Sequence, residues 1–315
     1  MQVRHAREQY VRWLRVTKDL SPHTLRAYDG DLAAFERHVG PVSRVGAIDR
    51  ECVVGFMEAQ RAAGLSATSV RRRAAALRGF CRWLMTTRHL RSDPWVGAAV
   101  SVGRSRRLPR LVPSSELDRL VLFLRREAGA DDDGEGSVDV LARPHQATTL
   151  LAVALMVATG VRVHEVVGIR CDDVDLPARC LRIVGKGRRE RNVFLTNEWL
   201  EGLVSTYIDA RGAMAIDHAH LLFNARREPL SPAAMRARLV AAGRNAGLHV
   251  RVTPHMLRHT AATQLIEAGV DIRYIQRLLG HASLTTTEIY THVSDGALRR
   301  VVSDADVLGR LSLPR

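Results

Sequence analysis

Residues 253–292, TPHMLRHTAATQLIEAGVDIRYIQRLLGHASLTTTEIYTH, spell two helices followed by a short run that ends in a tyrosine. Thr253 suits the N-cap of the first helix, Pro254 suits its first turn, and Gly269 stops it. Asp271 suits the cap of the second, with Gly280 at its end. Positions three and four apart share a helix face, so His255 and Arg258 lie together with His259 close by. His281 follows the second helix at once, and Tyr290 lies nine residues beyond it. Imidazoles, a planar cation and a phenol gathered in one place are suited to attack on a phosphodiester.

The chain around this stretch has 315 residues, enough for two domains that each bury a core. Its net charge of +14 is unevenly spread. Residues 1–110 hold 21 Lys+Arg against 9 Asp+Glu, an excess of 12. A basic N-terminal part points to a polyanionic partner, most often nucleic acid, against the plainer reading of a charged solvated surface. Arginine supplies nearly all of the positive charge, since the only lysines are Lys18 and Lys186. The four cysteines, Cys52, Cys81, Cys171 and Cys180, form no Cys-x-x-Cys pair and read as reduced thiols of a cytosolic protein. The arginine-studded N-terminus has no signal-peptide core, and the apolar run at 150–158 is too short to span a bilayer. A cytoplasmic protein with no membrane partner is expected.

Residues 1–100 read as all helical. One helix starts at Ser21-Pro22 and carries Leu25, Tyr28, Leu32, Phe35 and Val39 at helical spacing. A second runs through Val53, Phe56 and Met57 to a stop near Gly64. A third begins at Ser66 with Val70, Leu77, Phe80 and Leu84 on one side. On that third helix Arg71, Arg78 and Arg82 fall within about 40° of one another, away from the apolar side. Such a stripe suits a phosphate backbone, or it is simply a solvated face. Arg73 falls near the apolar side, and the pattern offers no reason for it. Residues 101–112, SVGRSRRLPRLV, are basic, proline-punctuated and aperiodic, as a linker is.

The remainder, 113–315, reads as a second domain. A helix opens at Ser114 or Ser115, and an acidic, glycine-rich loop is expected over 129–146. Residues 148–158 form a helix that is apolar on all sides and belongs in the core. It breaks at Thr159-Gly160, just before Arg162 and Glu165. Residues 179–184 and 191–195 alternate around GKGRRE and predict a β-hairpin with Lys186 at its tip. From Glu198 to Ala246 the chain again reads as helical. Beyond Tyr290, the positions Leu298, Val301, Val302, Val307, Leu308 and Leu311 make an apolar helix face. The fold class expected is therefore mainly α with a small antiparallel β-sheet.

The run His-x-x-Arg-His, Leu-Gly-His and Ile-Tyr-Thr-His resembles the signature of the tyrosine recombinases, or phage integrase family, and most of all its short Xer-type and integron-type members. The segment LSPHTLRAYDGDLAAF is similar to that family's N-terminal DNA-clamping domain. The resemblance implies a catalytic set of Arg162, Lys186, His255, Arg258, His281 and the nucleophile Tyr290, with Glu165 bracing the site. It implies a 3′-phosphotyrosine intermediate on double-stranded DNA, formed without metal or other cofactor. It also implies strand exchange through a Holliday junction in a homo-tetramer, or a hetero-tetramer with a related recombinase. A C-terminal segment of such proteins often docks on a neighbouring protomer, although this one has the option of packing on its own domain.

The residue chemistry agrees with that assignment. Arginine's permanently charged fork suits phosphoryl oxygens. A phenol with a pKa near 10 needs a base, for which His255 is placed. An ammonium among Arg188, Arg189 and Arg191 is poised to act as an acid. Two other readings stay open: a type IB topoisomerase with the same covalent chemistry, and a DNA-binding regulator that has kept the fold and lost catalysis. A His255/His259 zinc site lacks the glutamate that a zincin needs, because Met256 follows His255.

Overall fold

Among the described residues, four α-helices build the first of the two units into which the chain divides, Met1–Arg107 and Leu108–Arg315. The computed structural model describes residues 1–18, 20, 22–40, 43–98, 111–130, 138–185, 189–280 and 295–310. In the first unit these helices are α1 (Val3–Thr17), α2 (Pro22–Val39), α3 (Arg50–Ala62) and α4 (Ala67–Thr86). The sequence reading places α2, α3 and α4; the structure adds α1. Its Val3, Ala6, Tyr10 and Leu14 recur every three or four residues and are all buried. Asp49 caps α3 by accepting from the Cys52 N–H, and Ser66 caps α4 by accepting from that of Ser69. Phe35, Phe56, Leu77, Phe80 and Leu84 fill the core between the helices. Arg73 now has a reason. It reaches Asp31, a buried carboxylate on α2, at 3.4 Å, and also donates to Gln60 of α3.

The second unit is organised around α6 (Pro144–Thr159), whose residues 147–157 are all buried. Pro144 at its first turn starts the helix inside the stretch 129–146 read as loop, of which 131–137 lie outside the described residues. Around α6 pack α5 (Ser114–Glu127), α8 (Glu198–Ala213), α9 (Pro232–Asn245) and α10 (Pro254–Glu267). Three strands, β1 (Val174–Asp175), β2 (Cys180–Val184) and β3 (Glu190–Phe194), form one antiparallel sheet in that order. Leu181 faces Val193 and Ile183 faces Arg191 across β2 and β3. Arg179, read as a strand residue, lies outside β2 because it turns the chain at φ +50°.

The reading of 198–246 as helical holds for α8 and α9 and is corrected between them. Residues 214–231 are irregular, with Phe223 paired to Pro229 and His220 to Arg170, while Leu221, Leu222 and Phe223 are buried. Proline and backbone pairing to a distant segment both compete with a helix there. Val112, read as the last linker residue, is buried in the second unit and donates its N–H to Thr260 Oγ1 of α10 at 2.9 Å. The rest of the expected linker, up to 110, lies outside the described residues.

Two short helices complete what positions the site: α7 (Val163–Val166) and α11 (Ile272–Leu279). The last helix, α12 (Asp295–Ala305), buries Leu298 and Val302 in the core of its own unit, and Val307 and Leu308 follow them. Asn197 donates to Asp306 at 3.1 Å just beyond it. Leu311 lies outside the described residues.

Candidate active site

Three arginines from three different elements converge on the C-terminal end of α11. The last carbonyls of any helix lack partners within it, and they form the negative end of its dipole. Here guanidiniums supply the missing donors. Arg258 of α10 donates from Nη2 to Leu279 O at 2.7 Å and from Nη1 to Gly160 O at 2.7 Å. Arg191 of β3 donates from Nε to Leu278 O at 2.7 Å. Arg162 approaches Leu279 O and Gly280 O at the longer distances of 3.5 and 3.4 Å.

Two glycines make this convergence possible. Gly160 ends α6 in the left-handed region at φ +63°, and a Cβ there would sit 2.4 Å from Leu279 Cδ2. Its carbonyl is thereby turned to Arg258 just before Arg162 begins. Gly280 ends α11 in the same conformation, at φ +64°, and a Cβ there would meet the Arg191 guanidinium at 3.1 Å.

One carboxylate ties the arginines together. Glu165 Oε1 accepts from Arg162 Nη1 at 2.9 Å and from Arg191 Nη1 at 3.2 Å. Its Oε2 accepts from the Arg162 backbone N–H at 2.9 Å and from Arg191 Nη2 at 2.8 Å. Burial alone would raise the carboxyl's pKa, but the Arg191 hydrogen bonds, then those of Arg162, outweigh it and hold it at about 2. Arg258 is pulled down to about 10, first by burial and then by the like charge of Arg162. Even so it stays charged at neutral pH. Three guanidiniums and one carboxylate leave the cluster two positive charges in excess.

His255 sits one turn before Arg258 on α10, whose N-terminus Thr253 caps by accepting from the Met256 N–H. Its imidazole is exposed. Desolvation of the side of the ring that meets the protein, then His259 and the guanidiniums of Arg258, Arg236 and Arg162, lower its pKa. It is therefore neutral at pH 7 and able to accept a proton. Arg236, an exposed residue of α9, acts on both His255 and His164, and no periodicity in the sequence singles it out.

Of the residues expected from sequence, the structure thus brings Arg162, Glu165 and Arg258 together, with His255 one turn away. Lys186, His281 and Tyr290 lie outside the described residues, although Lys186 falls between β2 and β3 and His281 directly follows Gly280. Arg71, Arg78 and Arg82 are exposed on α4 in the other unit, and the Arg78 guanidinium lies 4.4 Å from the centre of the Trp95 ring. Arg191 was not among the expected site residues. Its signal was its register, because it shares a face of β3 with the buried Val193, where a charge needs a partner. Among the described residues no three His, Cys, Asp or Glu side chains gather as a metal site requires, and no helix is long and apolar enough to cross a membrane.

Comparison with known proteins agrees with this architecture. The phage integrase family matches residues 134–296, and the phage integrase N-terminal SAM-like domain matches residues 8–88. A tyrosine recombinase XerC of Mycobacterium sp. (strain KMS) is 34% identical over 306 residues, covering 95% of this chain and 97% of that protein. A tyrosine recombinase XerD of Halalkalibacterium halodurans is 30% identical over 299 residues, covering 93% of this chain and 95% of that protein. Among solved structures, a lambda integrase (75–356) dimer bound to a COC′ core site aligns with a TM-score of 0.68 at 19% identity, covering 91% of this chain and 97% of that one. XerH bound to palindromic difH substrate aligns with a TM-score of 0.67 at 24% identity, covering 89% and 79%. The chain belongs to the phage integrase family, and it is a tyrosine site-specific recombinase. Within that family it is similar to the Xer-type members.

Proposed function

We propose that this chain cuts and rejoins double-stranded DNA through a covalent bond between Tyr290 and a 3′-phosphate. The phenol oxygen attacks phosphorus, its proton passes to His255, and the bond to the 5′ oxygen breaks. Lys186 protonates that leaving oxygen, and His281 donates to a non-bridging one. The observation that carries this reading is the cluster's excess of two positive charges, held by Arg162, Arg191 and Arg258 around Glu165. A phosphodiester carries one negative charge and gains a second as the fifth oxygen joins it. Fixed donors at a water-poor site stabilise such developing charge strongly. The bond energy stays in the tyrosine adduct, so the incoming DNA end reverses the step without cofactor.

The same proposal assigns Arg71, Arg78 and Arg82 of the first unit to the phosphate backbone, and joins the two domains by the basic stretch read as linker at 101–112, of which Val112 packs into the second. It places four protomers on a Holliday junction, as in the lambda integrase tetramer bound to a Holliday junction, whose chain aligns with a TM-score of 0.68. The site of action is the cytoplasm. A topoisomerase or a non-catalytic regulator is not favoured, because relatives covering 95% of the chain are named tyrosine recombinases.

The test is to incubate the protein and its Tyr290→Phe variant with total DNA of the encoding organism in the presence of a chelator, denature, and sequence the DNA that stays attached. The proposal expects adducts at a few defined sites, absent from the variant. Adducts that persist with Tyr290→Phe, or none from either protein, would contradict it.

A further inference from the structure

The Arg191 guanidinium touches three elements at once. It makes two parallel hydrogen bonds to Glu165 of α7, at 2.8 and 3.2 Å, and a third to Leu278 O at the end of α11, at 2.7 Å. Its side chain is almost closed off from solvent, and it packs against Gly280 closely enough that a methyl group there would meet it. Every one of these partners is next to something the chemistry needs. Glu165 holds Arg162 by side chain and by backbone N–H. Gly280 directly precedes His281. Arg191 itself stands five residues after Lys186 on the strand that leaves the hairpin.

We infer that Arg191 is a positioning residue, a three-way brace that sets the β2–β3 hairpin, the Arg162–Glu165 pair and the end of α11 in register with one another. This rests on the proposed roles of Lys186, Arg162 and His281. The brace needs a planar fork. Lysine carries the same charge, but its three donors sit on one freely rotating nitrogen, which cannot hold both carboxylate oxygens and a carbonyl in fixed directions. Replacement by Lys keeps the charge of the cluster and all the reacting groups, and shifts those groups. Displacement of about 1 Å costs on the order of 10²-fold in rate.

Arg182 supplies the control. It lies on β2 of the same sheet and pairs with the buried Asp173 at 2.7 Å and with Glu190 at 3.8 Å, both outside the arginine cluster. The comparison is Arg191→Gln and Arg191→Lys against Arg182→Gln, in the full chain. The first measurement uses no DNA: hydrogen exchange over residues 160–168 and 272–280. Both Arg191 variants are expected to speed exchange in both segments, and Arg182→Gln in neither.

The second measurement uses an oligonucleotide duplex bearing a site mapped by adduct sequencing. Both Arg191 variants are expected to slow single-turnover adduct formation at saturating protein by about 10²-fold. Affinity for the duplex should stay within about threefold, the split that positioning predicts. Full activity in Arg191→Lys, equal slowing by Arg182→Gln, or unchanged exchange in both segments would overturn the inference. Failure of the unmodified protein to form any adduct would instead fault the proposed reaction, and the exchange data would still decide whether the brace exists.

Discussion

Each unit of this protein buries one carboxylate against two arginines, and the two carboxylates respond in opposite ways. Asp31, in the first unit, has Arg72 at 3.0 Å and Arg73 at 3.4 Å, both on Oδ1, while Oδ2 has no hydrogen-bond partner among the described residues. Burial wins, and its pKa is raised. Glu165, in the second unit, has both oxygens filled by four donors, and its pKa falls to about 2 despite deeper enclosure. The presence of cations does not set the outcome. The number and direction of hydrogen bonds do. Asp31 links α2 to α4 through Arg72 and Arg73, whereas Glu165 fixes where two guanidiniums point.

The largest expected effect of breaking that contrast is Glu165→Gln. It leaves Arg162 and Arg191 facing each other in a buried site and should cost about 3–5 kcal/mol of stability, read by hydrogen exchange in the second unit. If the loss is under about 1 kcal/mol, the four donors do not matter as argued.

Acid should separate the units next. Glu165 has a folded pKa below its ordinary 4.5, so its contribution is complete above that value and is lost as pH falls toward about 2. That amounts to about 3 kcal/mol in the second unit. Asp31 has the opposite sign. Its raised folded pKa means that the first unit gains stability as pH falls through that pKa, down to the ordinary 3.8. As pH falls from 4.5 to 3.8, exchange in the two units should therefore move in opposite directions, and below 3.8 the loss from Glu165 should continue while Asp31 adds nothing more. Parallel loss would contradict the account.

A smaller effect is expected from Asp31→Asn. Removing a charge that burial already disfavours should change stability by less than about 1 kcal/mol. A loss as large as that of Glu165→Gln would erase the distinction. Smaller again in its consequence for chemistry is the triple change of Arg71, Arg78 and Arg82 to Gln. Removing one phosphate-binding cation lowers the slope of log affinity against log salt by about 0.9, so a fall of roughly 2–3 is expected from the three, with the cleavage rate at saturation kept.

Much of this was legible in the sequence because it is local. Thr253, Pro254, Asp271 and Gly280 announce α10 and α11 through capping chemistry, and all four act as read. The hairpin is visible in its alternation, and α6 in its uniform apolarity. What stayed hidden depends on long-range pairing. Arg73 needs Asp31, which no spacing on α4 reveals. Arg191 needs Glu165, 26 residues away, and Leu278, 87 residues away, so beside Lys186 it reads only as another basic residue. The irregular stretch at 214–231 is set by single bridges to Arg170 and Pro229, which leave no period to detect.

The most direct test concerns Arg162, whose guanidinium Glu165 holds at the partly open edge of the cluster. Single-turnover adduct formation and equilibrium binding would be measured on one duplex for the unmodified protein and Arg162→Lys. The account predicts adduct formation at least about 10²-fold slower at saturating protein, with affinity within about threefold. An unchanged rate at saturation with weakened binding would make Arg162 a contact for DNA and not a part of the chemistry, and would contradict the account.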